Sequence, residues 1–104
     1  MVIQLKKDKI DEYKRLHADD YEGVRDLLIK YHMNNFSIFL HQLDDGNYYE
    51  FAYYEYTGDN FEEDMKLLAA EPRNQAWLKV CDAMQIPQEG YTSWTEMESI
   101  FFNP

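Results

Sequence analysis

The sequence predicts an α+β protein in which one antiparallel sheet is covered by helices. Stretches rich in β-forming residues lie near the start, middle and end of the chain. In the segments between them, apolar residues recur at the three- and four-residue intervals of a helix. The turn Asp44-Asp45-Gly46-Asn47 is typical of a hairpin between the two central strands. With 104 residues and no repeat or linker, the chain fits one domain over residues 1–104.

The first half of the chain predicts a strand, a helix and a second strand. Val2–Leu5 is the first strand. One long helix is predicted over residues 9–31, because its mainly apolar residues fall within about one third of a helical wheel. These residues are Ile10, Tyr13, Leu16, His17, Val24, Leu27, Leu28 and Tyr31. Asp20 falls on the same buried side. Residues 33–35 break the helix, and residues 36–40 predict the second strand.

The second half predicts a strand, two helical segments and a last strand. Tyr48–Tyr56 is the third strand, with aromatic residues on both of its faces. A turn and cap at residues 58–60 precede a helix over Phe61–Ala70, and Pro72 separates this helix from a second one over residues 73–84. Residues 96–102 alternate in hydrophobicity and predict the final strand. The order β-α-β-β-α-β is that of a ferredoxin-like sandwich.

This architecture leaves one face of the sheet without helices. The third strand supplies aromatic side chains to that face, and an exposed aromatic surface of this size needs a partner or a ligand. Two such sheets that pack face to face would cover part of it. We therefore expect a homodimer of the type called a dimeric α+β barrel.

The charge and cysteine content exclude several partners. A formal net charge of −10 is unfavourable for binding nucleic acid or an anionic membrane, so a small neutral ligand is the simpler expectation. Cys81 is the single cysteine, which excludes an internal disulfide. The chain has no apolar run typical of a signal peptide or a membrane span, and we expect a cytoplasmic protein.

The common catalytic motifs are missing from the sequence. His17, His32 and His41 do not have the spacing of metal ligands, and one cysteine cannot form a thiolate site, so no metal is expected. No serine lies in a glycine-rich elbow, and no glycine-rich loop is present to hold a phosphate. These observations exclude most hydrolases, kinases and dehydrogenases.

Tyr13 and His17 form the pair with most chemical interest. They lie four residues apart and therefore on one side of the predicted helix. Histidine titrates near neutral pH and is a natural general acid or base, although a core histidine is the alternative interpretation. Trp77 and Trp94 are either core residues or platforms on which a sugar ring can stack.

Longer stretches of the chain resemble the L-rhamnose mutarotase family. The most specific are Glu12-Tyr13-x-x-x-His17 and the closing Trp94-x-Glu96-Met97-Glu98-x-x-Phe101. Further matches, in order along the chain, are residues 2–6, residues 35–40, residues 56–65, residues 70–72 and the pair Gln75 and Trp77.

The resemblance implies both a fold and an activity. The family forms a ferredoxin-like dimer, and it interconverts the α and β anomers of L-rhamnose without a metal or an organic cofactor. By this resemblance, His17 corresponds to the proton donor, and Tyr13 and Trp77 correspond to residues that contact the sugar.

The sequence differs from the family pattern at several pocket positions. Phe36 stands where the family has a tyrosine, Leu78 replaces the second tryptophan of a pair, and Ala76 replaces a basic residue. Tyr21 and Glu22 replace a Trp-Pro pair. Because Phe36 and Leu78 would shape the pocket, the expected substrate is L-rhamnose or a related aldose. The alternatives are a non-catalytic dimeric ligand-binding protein of the same fold and, third, a small monooxygenase.

Overall fold

The computed structural model describes residues 1–18 and 23–104. Asp20 and the Tyr21–Glu22 pair, which the sequence analysis singled out, lie outside these residues. In chain order the described elements are β1 (Val2–Leu5), a short 3-10 helix (Lys7–Lys9), α1 (Ile10–Leu16), α2 (Arg25–Lys30), β2 (Met33–Gln42), β3 (Tyr48–Tyr56), α3 (Phe61–Ala70), α4 (Pro72–Asp82) and β4 (Gln85–Ile86).

The four strands form one antiparallel sheet in the order β2-β3-β1-β4. β3 pairs with both β1 and β2, so the first strand and the central hairpin are joined into one layer. Four helices accompany the sheet within the described part of the chain. The α+β, ferredoxin-like prediction is confirmed, and the predicted bounds of β1, β3 and α3 agree with the structure.

The prediction of one helix over residues 9–31 was wrong. α1 ends at Leu16, where His17 has φ −95° and ψ 1°, and α2 begins only at Arg25. Gly23 precedes α2, and glycine inside a helix costs about 1 kcal/mol relative to alanine. The predicted buried side is nevertheless confirmed at its most buried members, which are Tyr13, Leu16, Val24, Leu27 and Tyr31.

The prediction of a final strand over residues 96–102 was also wrong. The edge of β1 that faces away from β3 pairs with Gln85 and Ile86 of β4. Val2 in addition forms an isolated antiparallel β-bridge with Thr95. Pro87 follows β4 and has no backbone N–H to continue the ladder. Since this edge of β1 is already occupied, residues 96–102 have no regular structure, and Ile100, Phe101 and Phe102 are highly exposed.

β2 is longer than predicted, and α4 is slightly displaced. β2 includes Met33 and Asn34 because a bulge between Asn34 and Ser37 accommodates Asn35, whose φ is +52°. α4 begins at Pro72, a residue well suited to the first helical position. In the described part of the chain, no helix has the length and apolar character needed to cross a bilayer.

The core consists of two clusters of buried side chains. The first contains Leu5, Tyr13, Leu16, Cys81 and Met84, and the second contains Val24, Leu27, Tyr31, Met33 and Leu68. Trp77 on α4 packs against both clusters, so one large ring joins the two halves of the helical layer.

The face of the sheet opposite the core carries exposed aromatic residues. Phe39 on β2 is 63% exposed and pairs with Phe51 on β3, and Tyr53 is 54% exposed. We call these three residues the open face. It corresponds to the aromatic sheet surface that the sequence predicted.

We predict that Asn60→Ala lowers the free energy of unfolding by about 1 kcal/mol, because Asn60 caps α3. Its side-chain oxygen accepts a hydrogen bond of 3.2 Å from the backbone nitrogen of Glu63. Urea denaturation followed by circular dichroism measures the change. Asn60→Ser, which retains a capping oxygen, should keep most of the stability, and equal losses in both variants would contradict the capping role.

Candidate active site

A cavity of about 620 Å³ is lined by residues of the helices and the sheet. We call it the main cavity. It brings together all five residues predicted to form the site, namely Tyr13, His17, Phe36, Trp77 and Leu78. Trp94, Arg25 and Gln85 also line it. A cavity of this volume, walled mainly by apolar and aromatic groups, suits a small organic ligand.

His17 is held where α1 ends. Its ring Nδ1 lies 2.8 Å from the carbonyl oxygen of Tyr13, which also accepts a 3.2 Å hydrogen bond from the backbone nitrogen of His17. A carbonyl only accepts, so Nδ1 carries the proton in the neutral ring. Nε2 is then the nitrogen with a free lone pair, and it can exchange a proton with a ligand.

Two aromatic rings fix the orientation of the imidazole. The Tyr13 ring is stacked on it, with centroids 4.2 Å apart and an interplanar angle of 28°. The Trp77 ring meets it edge-on at 5.0 Å and 65°. Together with the Nδ1 hydrogen bond, these contacts leave the His17 ring little freedom to rotate.

The environment keeps His17 neutral. Burial lowers the pKa of His17 below 6.5, and the Arg25 charge lowers it further, while the bond to the Tyr13 carbonyl acts in the opposite direction. Arg25 is close because its guanidinium donates a 2.8 Å hydrogen bond to the His17 backbone carbonyl. At neutral pH the ring is therefore mainly unprotonated and able to accept a proton.

Two polar residues behind Tyr13 were missed by the sequence analysis. Gln85 Nε2 donates to the Tyr13 phenol at 3.3 Å and to Glu50 Oε1 at 3.0 Å. Burial, followed by the nearby Glu50 carboxylate, raises the pKa of Tyr13, so its phenol stays protonated. The sequence did contain a signal for Glu50. In the alternating pattern of β3, Glu50 lies on the same face as Tyr48 and Tyr54, which is the inward face.

The remaining wall residues are mainly apolar. Phe36 stacks on Tyr54 with centroids 5.4 Å apart and an interplanar angle of 7°. Leu78 is 43% exposed. Cys81 is buried, and burial raises the pKa of its thiol to about 12, so it is a poor nucleophile at neutral pH. Among residues 1–18 and 23–104, no cluster of three or more His, Cys, Asp or Glu side chains is arranged to hold a metal.

The fold and the cavity define a small α+β protein that presents a neutral histidine to an aromatic-walled ligand pocket. Residues 1–102 match the family model described as rhaM, L-rhamnose mutarotase. The chain therefore belongs to the L-rhamnose mutarotase family, which consists of isomerase-type enzymes. The resemblance seen in the sequence is thereby confirmed. A comparison with curated protein sequences returned no match.

We predict that His17 makes the protein less stable in mild acid. Because the folded pKa lies below the unfolded value of 6.5, the unfolded state takes up the proton first. The His17 contribution to the unfolding free energy is therefore fully present above pH 6.5 and is lost as the pH falls from 6.5 through the lower folded pKa. Urea unfolding at pH 7.5 and pH 5 measures the loss.

The loss of unfolding free energy between pH 7.5 and pH 5 should be smaller in His17→Gln than in the wild-type protein. The variant lacks the imidazole whose protonation favours the unfolded state. His41→Gln, in the exposed end of β2, is the control for removing a histidine outside the cavity. An identical pH dependence in His17→Gln and in the wild-type protein would contradict the lowered pKa.

Proposed function

We propose that the protein interconverts the α and β anomers of L-rhamnose or a related aldose, with His17 as the acid/base group. It would thus act as an aldose 1-epimerase-type isomerase. The observation that carries this proposal is the neutral His17, with one nitrogen free, in the cavity of a chain that belongs to this family.

The reaction needs one proton moved between two oxygens on the same carbon. His17 Nε2 accepts the proton of the anomeric hydroxyl, whose oxygen becomes the aldehyde carbonyl as the bond between C1 and the ring oxygen breaks. The same nitrogen gives that proton to the ring oxygen. Rotation about C1–C2 and the reverse steps produce the other anomer, so no atoms or electrons are gained or lost.

The surroundings of His17 favour this single-base route. Nδ1 is engaged by the Tyr13 carbonyl, which leaves Nε2 for both proton transfers. The Tyr13 phenol is a poor proton donor because its pKa is raised. We therefore assign Tyr13 to orienting His17 and contacting the sugar, and not to proton transfer.

The cavity walls fit a neutral, partly apolar sugar. Trp77 offers a ring surface on which the apolar side of a pyranose can stack, and the largely buried Tyr13 lines the same cavity. Phe36 and Leu78 replace family residues with apolar groups and leave fewer hydrogen bonds for substrate hydroxyls. These positions would therefore select among L-rhamnose and related aldoses, and a cofactor has no role in the proposed steps.

We predict that His17→Gln reduces anomer exchange to the uncatalysed rate, because glutamine cannot accept and return the proton. The measurement is NMR saturation transfer between the anomeric protons of L-rhamnose, repeated on a small panel of aldoses. In the wild-type protein the rate should fall as the pH drops through the pKa of His17, since protonation removes the base.

His41→Gln, which removes a histidine that does not line the main cavity, is the matched control and should retain the wild-type rate. Near wild-type exchange in a folded His17→Gln protein would exclude His17 from the role. Exchange at the uncatalysed rate with every aldose would favour the non-catalytic ligand-binding alternative.

We also propose that the protein acts as a homodimer in the cytoplasm. The open face is apolar, aromatic and outside the helical layer, which supports packing against a second copy. A single cysteine, buried and unpaired, fits a reducing compartment.

We predict that Phe39→Lys converts a dimer into a monomer, because a charge in the middle of the paired faces would be desolvated without a partner. Sedimentation equilibrium measures the mass. Leu67→Lys, at a 44% exposed position of α3 on the helical layer, is the matched control and should remain dimeric. A wild-type protein that sediments as a single chain would contradict the dimer.

A further inference from the structure

Glu50 is an acidic residue in the most buried part of the sheet. It is 1% exposed and lies in β3, where its backbone pairs with Ile3 on β1 and Leu40 on β2. A buried carboxyl group is costly, and replacement by an apolar side chain of similar size is often neutral or stabilising. Packing alone therefore gives no reason for an acid at this position.

The Glu50 carboxyl belongs to a short hydrogen-bonded chain that reaches the main cavity. Its Oε1 accepts from Gln85 Nε2 at 3.0 Å, and the same nitrogen donates to the Tyr13 phenol at 3.3 Å. Gln85 is also buried, at 6% exposure. Burial raises the pKa of Glu50, and the nearby polar groups of Tyr13 and Gln85 oppose that rise.

Glu50 also lines a small second cavity, and one of its carboxyl oxygens is unpartnered in the described part of the chain. Oε2 is buried and has no hydrogen-bond partner among the described residues. Glu50, Tyr13 and His17 all line this cavity of about 190 Å³. Tyr13 and His17 therefore form part of the lining of both cavities, and Glu50 contributes to the smaller one.

Tyr13 connects the hydrogen bonds of Glu50 and Gln85 to His17 through two contacts. Its backbone carbonyl holds Nδ1 of His17, and its ring stacks on the imidazole. If the phenol were released from Gln85, the ring and the last turn of α1 would have one fewer constraint. The orientation of His17, and the nitrogen that carries its proton, would then be less well defined.

We propose that Glu50 is a positioning residue for the anomer-exchange reaction, which acts through Gln85 and the Tyr13 phenol to hold His17 in one tautomer and one orientation. This inference rests on the proposed function. It assigns Glu50 and Gln85 to supporting the reactive group, and neither residue needs to contact the sugar.

The test uses two variants in which Glu50 is replaced by a residue of similar size. Glu50→Leu removes the acceptor for Gln85, whereas Glu50→Gln retains an acceptor oxygen. We expect Glu50→Leu to lower kcat for L-rhamnose exchange by about 10- to 100-fold with little change in KM, because misplacement of a reacting group by about 1 Å can cost that much. Glu50→Gln should recover most of the rate.

The His17 tautomer provides a readout that does not depend on activity. Nitrogen-15 chemical shifts of the imidazole measure the fraction protonated at Nδ1, which should be high in the wild-type protein and lower in Glu50→Leu. Gln85→Leu should produce the same two changes, and it keeps the proposal testable if Glu50→Leu does not fold. Thr95→Val, which removes another buried oxygen without a partner among the described residues, is the control and should leave both unchanged.

The outcomes separate this proposal from the proposed function. If the wild-type protein shows no exchange on any aldose, the proposed function fails, and the tautomer measurement alone decides the role of Glu50. Wild-type kcat and an unchanged Nδ1 signal in folded Glu50→Leu or Gln85→Leu would overturn the positioning role. A loss in Glu50→Leu that tracks only a fall in the folded fraction would also overturn it.

Discussion

The site depends on one hydrogen bond, between the ring Nδ1 of His17 and the backbone carbonyl of Tyr13. The Tyr13 carbonyl oxygen also accepts a 3.2 Å hydrogen bond from the backbone nitrogen of His17, and its second lone pair receives the imidazole N–H. This bond selects the tautomer, and the stacked Tyr13 ring selects the orientation.

Burial gives the pocket its shape and also sets its proton chemistry. Trp77 joins the two core clusters and at the same time meets the edge of the His17 ring, so core packing and the reactive group share a side chain. The same exclusion of water lowers the pKa of His17 and raises those of Tyr13 and Glu50. As a result, His17 can accept a proton at neutral pH, whereas the neighbouring Tyr13 phenol stays protonated.

Hydrophobic periodicity predicted the sheet and the buried sides of the helices, and the turn residues 44–47 predicted the hairpin, because these features follow from local sequence. It did not predict that the helix over residues 9–31 is interrupted, since the buried positions stay in phase on both sides of the interruption. It placed the last strand at residues 96–102 because alternation does not show which edge of β1 is already filled. Tyr13 and His17 were recognisable as a pair on one turn, whereas Glu50 and Gln85 meet only in three dimensions.

The buried thiol of Cys81 lines the same cavity and is held protonated by its surroundings. Because the thiol is buried and the reactive form is the thiolate, a reagent modifies it slowly unless the cavity wall opens locally. The modification rate of the native protein would thus report how often this wall opens. The chain therefore carries, at Cys81, a natural probe of the opening of this cavity wall.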